Sequence, residues 1–181
     1  MPATVFAVRE KTKGGISVFK RTATTKSIAT SGIIAAMYVV LTFIANAFGL
    51  ANGVIQVRLS EALTILPCFT SAAIPGLTVG CVLANILTYC EPMDVALGSL
   101  ATLIGAMGTC MLKDKPLLAW IPPVASNAII VPFVLRYAYH MTDAWWYMVL
   151  TVGAGEIITC GVLGLLLYKS LKRVPSLFSE T

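Results

Sequence analysis

A single carboxylate, Glu156, interrupts a long apolar stretch near the C-terminus. It follows Gly153-Ala154-Gly155, and twelve uncharged residues lie on each side of it. A charged side chain at membrane depth costs about 2.5–3.5 kcal/mol on insertion scales, and such residues usually face an interior site. We therefore predict that Glu156 contacts a ligand or a partner. The alternative is a neutral or hydroxyl-paired group that only stabilises helix packing.

Further polar side chains lie inside or beside other apolar stretches. Arg58 and Glu61 have the i, i+3 spacing of residues on one helix face, so they can form an ion pair. Asp94 stands where another helix is predicted to begin, with helix capping as its alternative role. Asn85 and Asn127 lie within apolar runs, where an interhelical hydrogen bond and a ligand contact are both open.

Aromatic residues and cysteines are further candidate functional groups. Trp145 begins the triplet Trp-Trp-Tyr at the predicted start of the last helix. This triplet is either a membrane-interface belt or a stacking wall for a flat ligand. The five cysteines form no C-x-x-C pair, and there is one histidine, so we predict no metal site and no cofactor. The chain has no phosphate-binding G-x-x-x-x-G-K-[ST] motif, so we do not expect it to hydrolyse ATP by itself. With one histidine and no H-x-x-E or C-x-x-C pattern, we do not expect a membrane-embedded enzyme.

The elements that must position these side chains are helices in a membrane. Only 12% of the residues are charged and 57% are hydrophobic, whereas soluble domains carry roughly 25% charged residues. Five apolar runs are long enough to cross a bilayer, which takes about 20 residues. They are 27–57, 62–90, 95–112, 116–135 and 144–168, the last interrupted only by Glu156. Because backbone groups in lipid must bond internally, we predict an all-α membrane protein.

The positive charges indicate the number of crossings. Eleven of the 13 Lys and Arg residues form three groups, at 9–26, 113–115 and 169–173. Positive segments stay cytoplasmic, so an even number of crossings separates each pair of groups. Pro67, Pro75 and Gly76 divide the run 62–90 into a second helix over about 54–70 and a third over about 73–89. The prediction is six transmembrane helices in a domain over 27–172, with cytoplasmic tails at 1–26 and 173–181. We interpret the basic residues as orienting and lipid-contacting groups, not as a nucleic-acid surface.

Small residues on the first helix are spaced for close helix contact. Ser31 and Ala35 form one small-x-x-x-small pair, and Gly32 and Ala36 form another. Internal packing and docking of a partner protein are both open for this stripe.

Several stretches resemble the QueT family of transporter subunits. They include AAMYVVLT at 35–42, QVRLSEALTILP at 56–67, AIPGLTVGCVLAN at 73–85, GSLATL at 98–103 and GAGE at 153–156. The resemblance covers about 27–172. It implies the six-helix fold of a substrate-binding (S) component of an energy-coupling factor (ECF) transporter in the bacterial plasma membrane. It also implies uptake of a queuosine precursor, meaning a 7-deazaguanine base, queuine or queuosine. An S component for another vitamin or small heterocycle is the alternative.

The resemblance further implies partners: a membrane coupling protein, with Gly32 and Ala36 as the docking residues, and two ATPase subunits that hydrolyse ATP. A carboxylate such as Glu156 or Glu61 can accept two adjacent N–H groups of a deazaguanine. Asparagines can satisfy the remaining polar atoms, and a flat base favours aromatic stacking. The excess of outer carboxylates favours a cationic 7-aminomethyl group over a neutral nitrile. The predicted substrate-binding residues are Arg58, Glu61, Asn85, Asp94, Asn127, Glu156 and Trp145.

Overall fold

A computed structural model describes residues 25–50 and 57–173. These residues form helices and no strand, which confirms the predicted all-α class. The predicted tails 1–26 and 173–181 lie almost entirely outside the described ranges. The helices are, in chain order, α1 (Thr25–Ala47), a 3₁₀ helix (Leu59–Cys68), α2 (Ala73–Leu87), α3 (Pro92–Met111), α4 (Ile121–Tyr137), α5 (Trp145–Glu156), a π-helix (Ile157–Leu163) and α6 (Gly164–Leu171).

The helices differ in length. α1, α3 and the continuous helix Trp145–Leu171 have 23, 20 and 27 residues and are apolar enough to cross a membrane. The 3₁₀ helix, α2 and α4 are apolar but have only 10, 15 and 17 residues. At 1.5 Å per residue, α2 is about 22 Å long. The helices run alternately in opposite directions between two ends of the bundle. We name the end that carries Lys113, Lys115 and Lys169 the basic end, and the other the cavity end.

The second predicted helix differs most from expectation. An α-helix was expected over about 54–70, but the described part is a ten-residue 3₁₀ helix. Pro67 lies inside it and has no N–H to donate to a carbonyl one α-turn earlier. Seven of the ten residues of this helix are buried, so packing on several sides compensates for the poorer hydrogen-bond geometry of a 3₁₀ helix.

Two glycines of α2 bring this helix close to α1. A Cβ on Gly76 would lie 2.7 Å from the Ser31 carbonyl oxygen, and one on Gly80 would lie 2.8 Å from Tyr38 Cβ. Ser31 and Ala35 therefore serve internal packing. Gly32 and Ala36 lie about 100° around α1 from this pair. They are exposed, and a Cβ on Gly32 would meet nothing within 4 Å.

Candidate functional site

A cavity of about 560 Å³ opens at the cavity end, where α1, α2 and α4 end and α3 begins. This volume falls within the range of roughly 300–1,000 Å³ that is typical of small-molecule sites. Polar and apolar side chains share its wall. The lining residues are Asn46, Arg58, Thr88, Tyr89, Cys90, Asp94, Val131, Val134, Leu135, Tyr139 and Met141.

Asp94 is the acidic residue of the cavity wall. Its side chain is buried, and Oδ2 lies 3.6 Å from Arg58 Nη2. The Tyr139 hydroxyl donates a hydrogen bond to Oδ2 at 3.2 Å and accepts one from the Glu91 N–H at 3.3 Å. The other oxygen, Oδ1, has no hydrogen-bond partner among the described residues. Asp94 is thus held from one side and keeps a free acceptor.

Neighbouring residues position Asp94. Asn85 donates from Nδ2 to the Asp94 backbone carbonyl at 3.3 Å. Gly98, one helical turn after Asp94, leaves room for the carboxylate, since a Cβ there would lie 2.9 Å from Oδ1. Burial and the Asp94 carboxylate raise the pKa of Tyr139 above its ordinary value, so this hydroxyl stays protonated and remains a donor.

A narrower crevice of about 60 Å³ continues from the cavity toward the bundle interior. It shares Arg58 with the cavity, and its wall also includes Asn85, Tyr38 and Ser60. The Tyr38 hydroxyl lies beyond this wall in contact with Glu61. Arg58 and Tyr38 thus connect the cavity with the polar groups below it.

Those groups form a buried carboxyl cluster, which we define as Glu61, Glu156, Cys160 and Asn127. Tyr38 donates a hydrogen bond to Glu61 Oε1, and Thr102 donates to the same oxygen at 3.3 Å. Glu61 is only 1% exposed, yet its Oε2 makes no hydrogen bond to any described residue. The cluster therefore contains a second buried acceptor without a partner.

Two irregular helices bring the carboxyl cluster together. The 3₁₀ helix carries Glu61 and packs against the π-helix, which begins directly after Glu156 and carries Cys160. The Cys160 thiol lies 3.3 Å from Glu156 Oε2 and 3.4 Å from the Glu61 carbonyl oxygen. Departures from α-helical geometry inside a helix are common at functional sites.

Asn127 joins the cluster from α4. Its side chain faces both carboxyl groups, and its Nδ2 makes no hydrogen bond within the described ranges. One side-chain atom each of Glu61, Glu156 and Cys160 lies within 4.8 Å of the others, so these residues could hold a metal ion by distance. Hydrogen bonds from Tyr38 and Thr102 already occupy one Glu61 oxygen. The cluster therefore suits a ligand that donates N–H or O–H groups better than it suits a metal ion.

The predicted site residues therefore fall into two connected groups and one outlier. Arg58 and Asp94 line the cavity with Asn85 beside them, while Glu61, Asn127 and Glu156 form the buried carboxyl cluster. Trp145 is not part of either wall; it is 40% exposed and its ring packs edge-on against Phe133, with centroids 4.5 Å apart.

Three contributors were missed by the sequence analysis. Tyr38 and Thr102 are polar residues within apolar helices, which was an available signal. Tyr139 lies in the loop after α4, where spacing carries no information about its contact with Asp94. Tyr89, a candidate for stacking on a flat base rather than one of these three, also lines the cavity, and its side chain is 95% exposed.

Comparison with known proteins identifies the family. The family profile described as QueT transporter matches residues 28–173, which include every predicted site residue. This chain belongs to the QueT transporter family. The resemblance seen in the sequence is confirmed, and the family is one of transporters rather than enzymes.

A curated relative supports the same family. The chain is 36% identical over 91 residues to the queuosine precursor transporter QueT of Lactococcus lactis subsp. cremoris (strain MG1363). The match covers 50% of this chain and 53% of that protein, so it spans about half the length of the relative. No solved structure matches the chain.

Proposed function

We propose that the chain is the substrate-binding S component of an ECF transporter and takes up a queuosine precursor. In this proposal six helices cross the bacterial plasma membrane, with both termini in the cytoplasm. Lys113, Lys115 and Lys169 all lie at the basic end, which supports a cytoplasmic location for that end. The cavity would then open to the outside, where a precursor is captured.

One observation carries the binding proposal: Asp94 lines a cavity large enough for a two-ring base, and one oxygen of its buried carboxylate, Oδ1, has no hydrogen-bond partner among the described residues. A buried acceptor without a donor is costly, and a ligand N–H removes that cost. A 7-deazaguanine presents adjacent N–H donors on one edge and can supply them to a carboxylate. Asp94 is the residue that we propose to bind this edge or an amine on the ligand.

We propose that the deeper part of the ligand points into the crevice toward Tyr38. The carboxyl cluster beyond it still offers Glu61 Oε2 as an acceptor and Asn127 Nδ2 as a donor. Glu156 supports this cluster through Cys160 and, with Glu61, exerts an electrostatic attraction on Arg58. Tyr89, at the cavity mouth, is a better stacking candidate than Trp145, which packs against Phe133.

The balance of charges favours a cationic precursor. Asp94, Glu61 and Glu156 surround the path from the cavity to the cluster, and Arg58 is the cation that interacts with all three. A 7-aminomethyl group adds a second positive charge, whereas a 7-cyano group adds none. We therefore propose 7-aminomethyl-7-deazaguanine as the preferred ligand over the 7-cyano base.

Transport requires partners that hydrolyse ATP. We propose a membrane coupling protein and two ATPase subunits, with Gly32 and Ala36 in the contact with the coupling protein. Both residues are exposed and lie outside the contact of Ser31 and Ala35 with α2, and small residues permit close helix approach.

The test is a titration of the purified full-length chain, followed by tryptophan fluorescence. The ligands are 7-aminomethyl-7-deazaguanine, the 7-cyano base, queuine and, as a control, riboflavin. We expect saturable binding of a deazaguanine and none of riboflavin. Riboflavin binding, or no deazaguanine binding by a folded protein, would refute the proposed substrate.

A variant pair tests the site itself. Asp94→Asn should weaken binding of the preferred base at least tenfold, because the amide offers one acceptor and presents a donor to the ligand N–H. Asp114→Asn changes the charge by the same amount on the exposed loop at the basic end and should leave affinity unchanged. Equal affinity of the two variants would remove Asp94 from the binding site.

A further inference from the structure

Glu61 and Glu156 bring two buried carboxyl groups together in the interior of the helix bundle. With Cys160 they offer atoms that all lie within 4.8 Å of one another. No basic side chain within the described ranges lies at ion-pair distance from either glutamate, because Arg58 forms its ion pair with Asp94. A second negative charge on such a pair is strongly disfavoured in a buried site without an adjacent cation.

The hydrogen bonds around the two carboxyl groups differ. Tyr38 and Thr102 both donate to Glu61 Oε1, and donors of this kind stabilise a charged carboxylate. Glu156 has only the weakly donating Cys160 thiol beside it, 3.3 Å from its Oε2. Glu61 Oε2 has no partner among the described residues, so it is free to accept a further hydrogen bond. The arrangement favours a charged Glu61 and a protonated Glu156.

The surrounding helices contribute one cation to this pair. Thr102 of α3 and Asn127 of α4 are neutral, and Gly164 of α6 faces the 3₁₀ helix without a side chain. The titratable or charged groups that face the pair are Tyr38 from α1, Arg58 at the start of the 3₁₀ helix, Cys81 from α2 and Cys160 from the π-helix, and Asp94 from α3 faces Arg58. Buried phenols and thiols are neutral near pH 7. Three carboxyl groups therefore share one guanidinium.

We propose that Glu61 and Glu156 share one proton in the ligand-free protein and that a cationic ligand group replaces this proton. The inference rests on the proposed function, since the ligand is the 7-aminomethyl base in the cavity and crevice. With one proton on the pair, two negative charges and the positive charge of Arg58 remain. When the ligand cation enters and the proton leaves, the net charge of the site is unchanged. The exchange therefore adds no uncompensated charge to the buried site.

Tyr38 connects the pair with water. Its hydroxyl is hydrogen-bonded to Glu61, and its side chain lines the crevice of about 60 Å³ that continues from the cavity. A crevice of this size holds water. The Tyr38 oxygen accepts the proton from the pair as its own hydroxyl proton passes to water, so only O–H bonds break and form.

Calorimetric titration of the full-length chain in detergent micelles tests the exchange. At one pH, two buffers with different ionisation enthalpies give a difference in heat that counts the protons released. We expect about one proton per bound 7-aminomethyl base and close to none for the uncharged 7-cyano base. Alkylamines stay cationic below about pH 9, so affinity for the 7-aminomethyl base should rise up to about tenfold per pH unit between about pH 6 and 8. Binding without proton release, or with pH-independent affinity, would overturn the proposal.

Three variants locate the source of the proton. Glu156→Gln removes the pair, so its remaining binding should release no proton. His140→Asn replaces the single histidine, which is exposed at the cavity end, because imidazole side chains titrate near neutral pH. Asparagine tolerates the φ of 52° at this position. Asp143→Asn removes an exposed carboxylate at the same end. Both controls should still release one proton; loss of release in either control, or its persistence in Glu156→Gln, would contradict a shared proton.

Infrared spectroscopy of the ligand-free chain gives a readout that does not require the ligand. A protonated carboxyl group absorbs apart from carboxylates and backbone amides when the detergent contains no ester. We expect its band near neutral pH in the original chain, His140→Asn and Asp143→Asn, but not in Glu156→Gln or in the second variant, Glu61→Gln. Absence of the band from the original chain would refute the shared proton. If no deazaguanine binds, the proposed function fails, and the band still decides whether the pair holds a proton.

Discussion

Replacement of Gly80 by alanine should force α1 and α2 apart. The new Cβ would lie 2.8 Å from Tyr38 Cβ and 3.0 Å from the Cα and carbonyl oxygen of Ala35. Carbon atoms at optimal contact are about 3.5–4.0 Å apart, so the helices must separate by roughly 0.5–1 Å. Overpacking of this kind costs about 1–3 kcal/mol.

The same movement affects the site, because Tyr38 donates a hydrogen bond to Glu61. Weakening that bond adds about 1–2 kcal/mol, while the lower backbone entropy of alanine returns about 0.5–1 kcal/mol. We expect Gly80→Ala to lower the free energy of unfolding by about 1–4 kcal/mol. Gly32→Ala is the matched control: its Cβ meets nothing within 4 Å, so it should be as stable as the original chain or slightly more so.

The measurement is reversible unfolding in mixed detergent micelles with increasing sodium dodecyl sulfate, followed by circular dichroism and tryptophan fluorescence. Both variants are compared with the original chain under identical conditions. If Gly80→Ala and Gly32→Ala unfold at the same denaturant fraction, the close approach of α1 and α2 at Gly80 is incorrect. If Gly80→Ala is less stable but binds the ligand with unchanged affinity, the packing of Tyr38 against α2 contributes to stability and not to ligand binding.

The remaining predictions concern single polar contacts. Tyr38→Phe removes a donor to a buried carboxylate and should cost about 1–2 kcal/mol in the same unfolding assay, while Tyr137→Phe, at an exposed position, should cost less than about 0.5 kcal/mol. Glu156→Gln should weaken precursor binding at least tenfold in the fluorescence titration with the chain still folded; unchanged affinity would leave this residue a packing role. Gly98→Ala presses on the carboxylate of Asp94 and should weaken binding about as much as Asp94→Asn does, with little change in unfolding; full affinity would show that the carboxylate can move away without loss.

Much of the fold was predictable because the polarity of each segment depends directly on whether lipid or water surrounds it. Uncharged runs identify helices in lipid whatever their tertiary contacts, so the all-α class and the approximate helix positions followed from composition. The 3₁₀ helix was not predictable in type. Pro67 predicted an interruption of the α-helix. The choice of a 3₁₀ helix over Leu59–Cys68 depends on tertiary packing around this segment, which the sequence does not show.

The site was predictable in its membership more than in its arrangement. Glu61 and Glu156 were recognisable because a carboxylate in an apolar run is rare. The contact between Glu61 and Glu156 was not predictable, because it depends on the π-helix that follows Glu156. The residue types at 157–163 do not indicate the extra residue per turn of a π-helix. The contact of Tyr139 with Asp94 joins residues that are 45 positions apart, and it follows only from the tertiary fold.

The unequal helix lengths have a consequence for the surrounding bilayer. The helix Trp145–Leu171 spans about 40 Å, whereas α2 spans about 22 Å. A hydrocarbon core is about 30 Å thick, so in the proposed six-helix topology the bilayer thins beside α2, and the long helix tilts or extends beyond the core. We expect a protein with this topology to deform the membrane unequally around its circumference. Its stability should depend on acyl-chain length, with an optimum in bilayers thinner than the longest helix alone would favour.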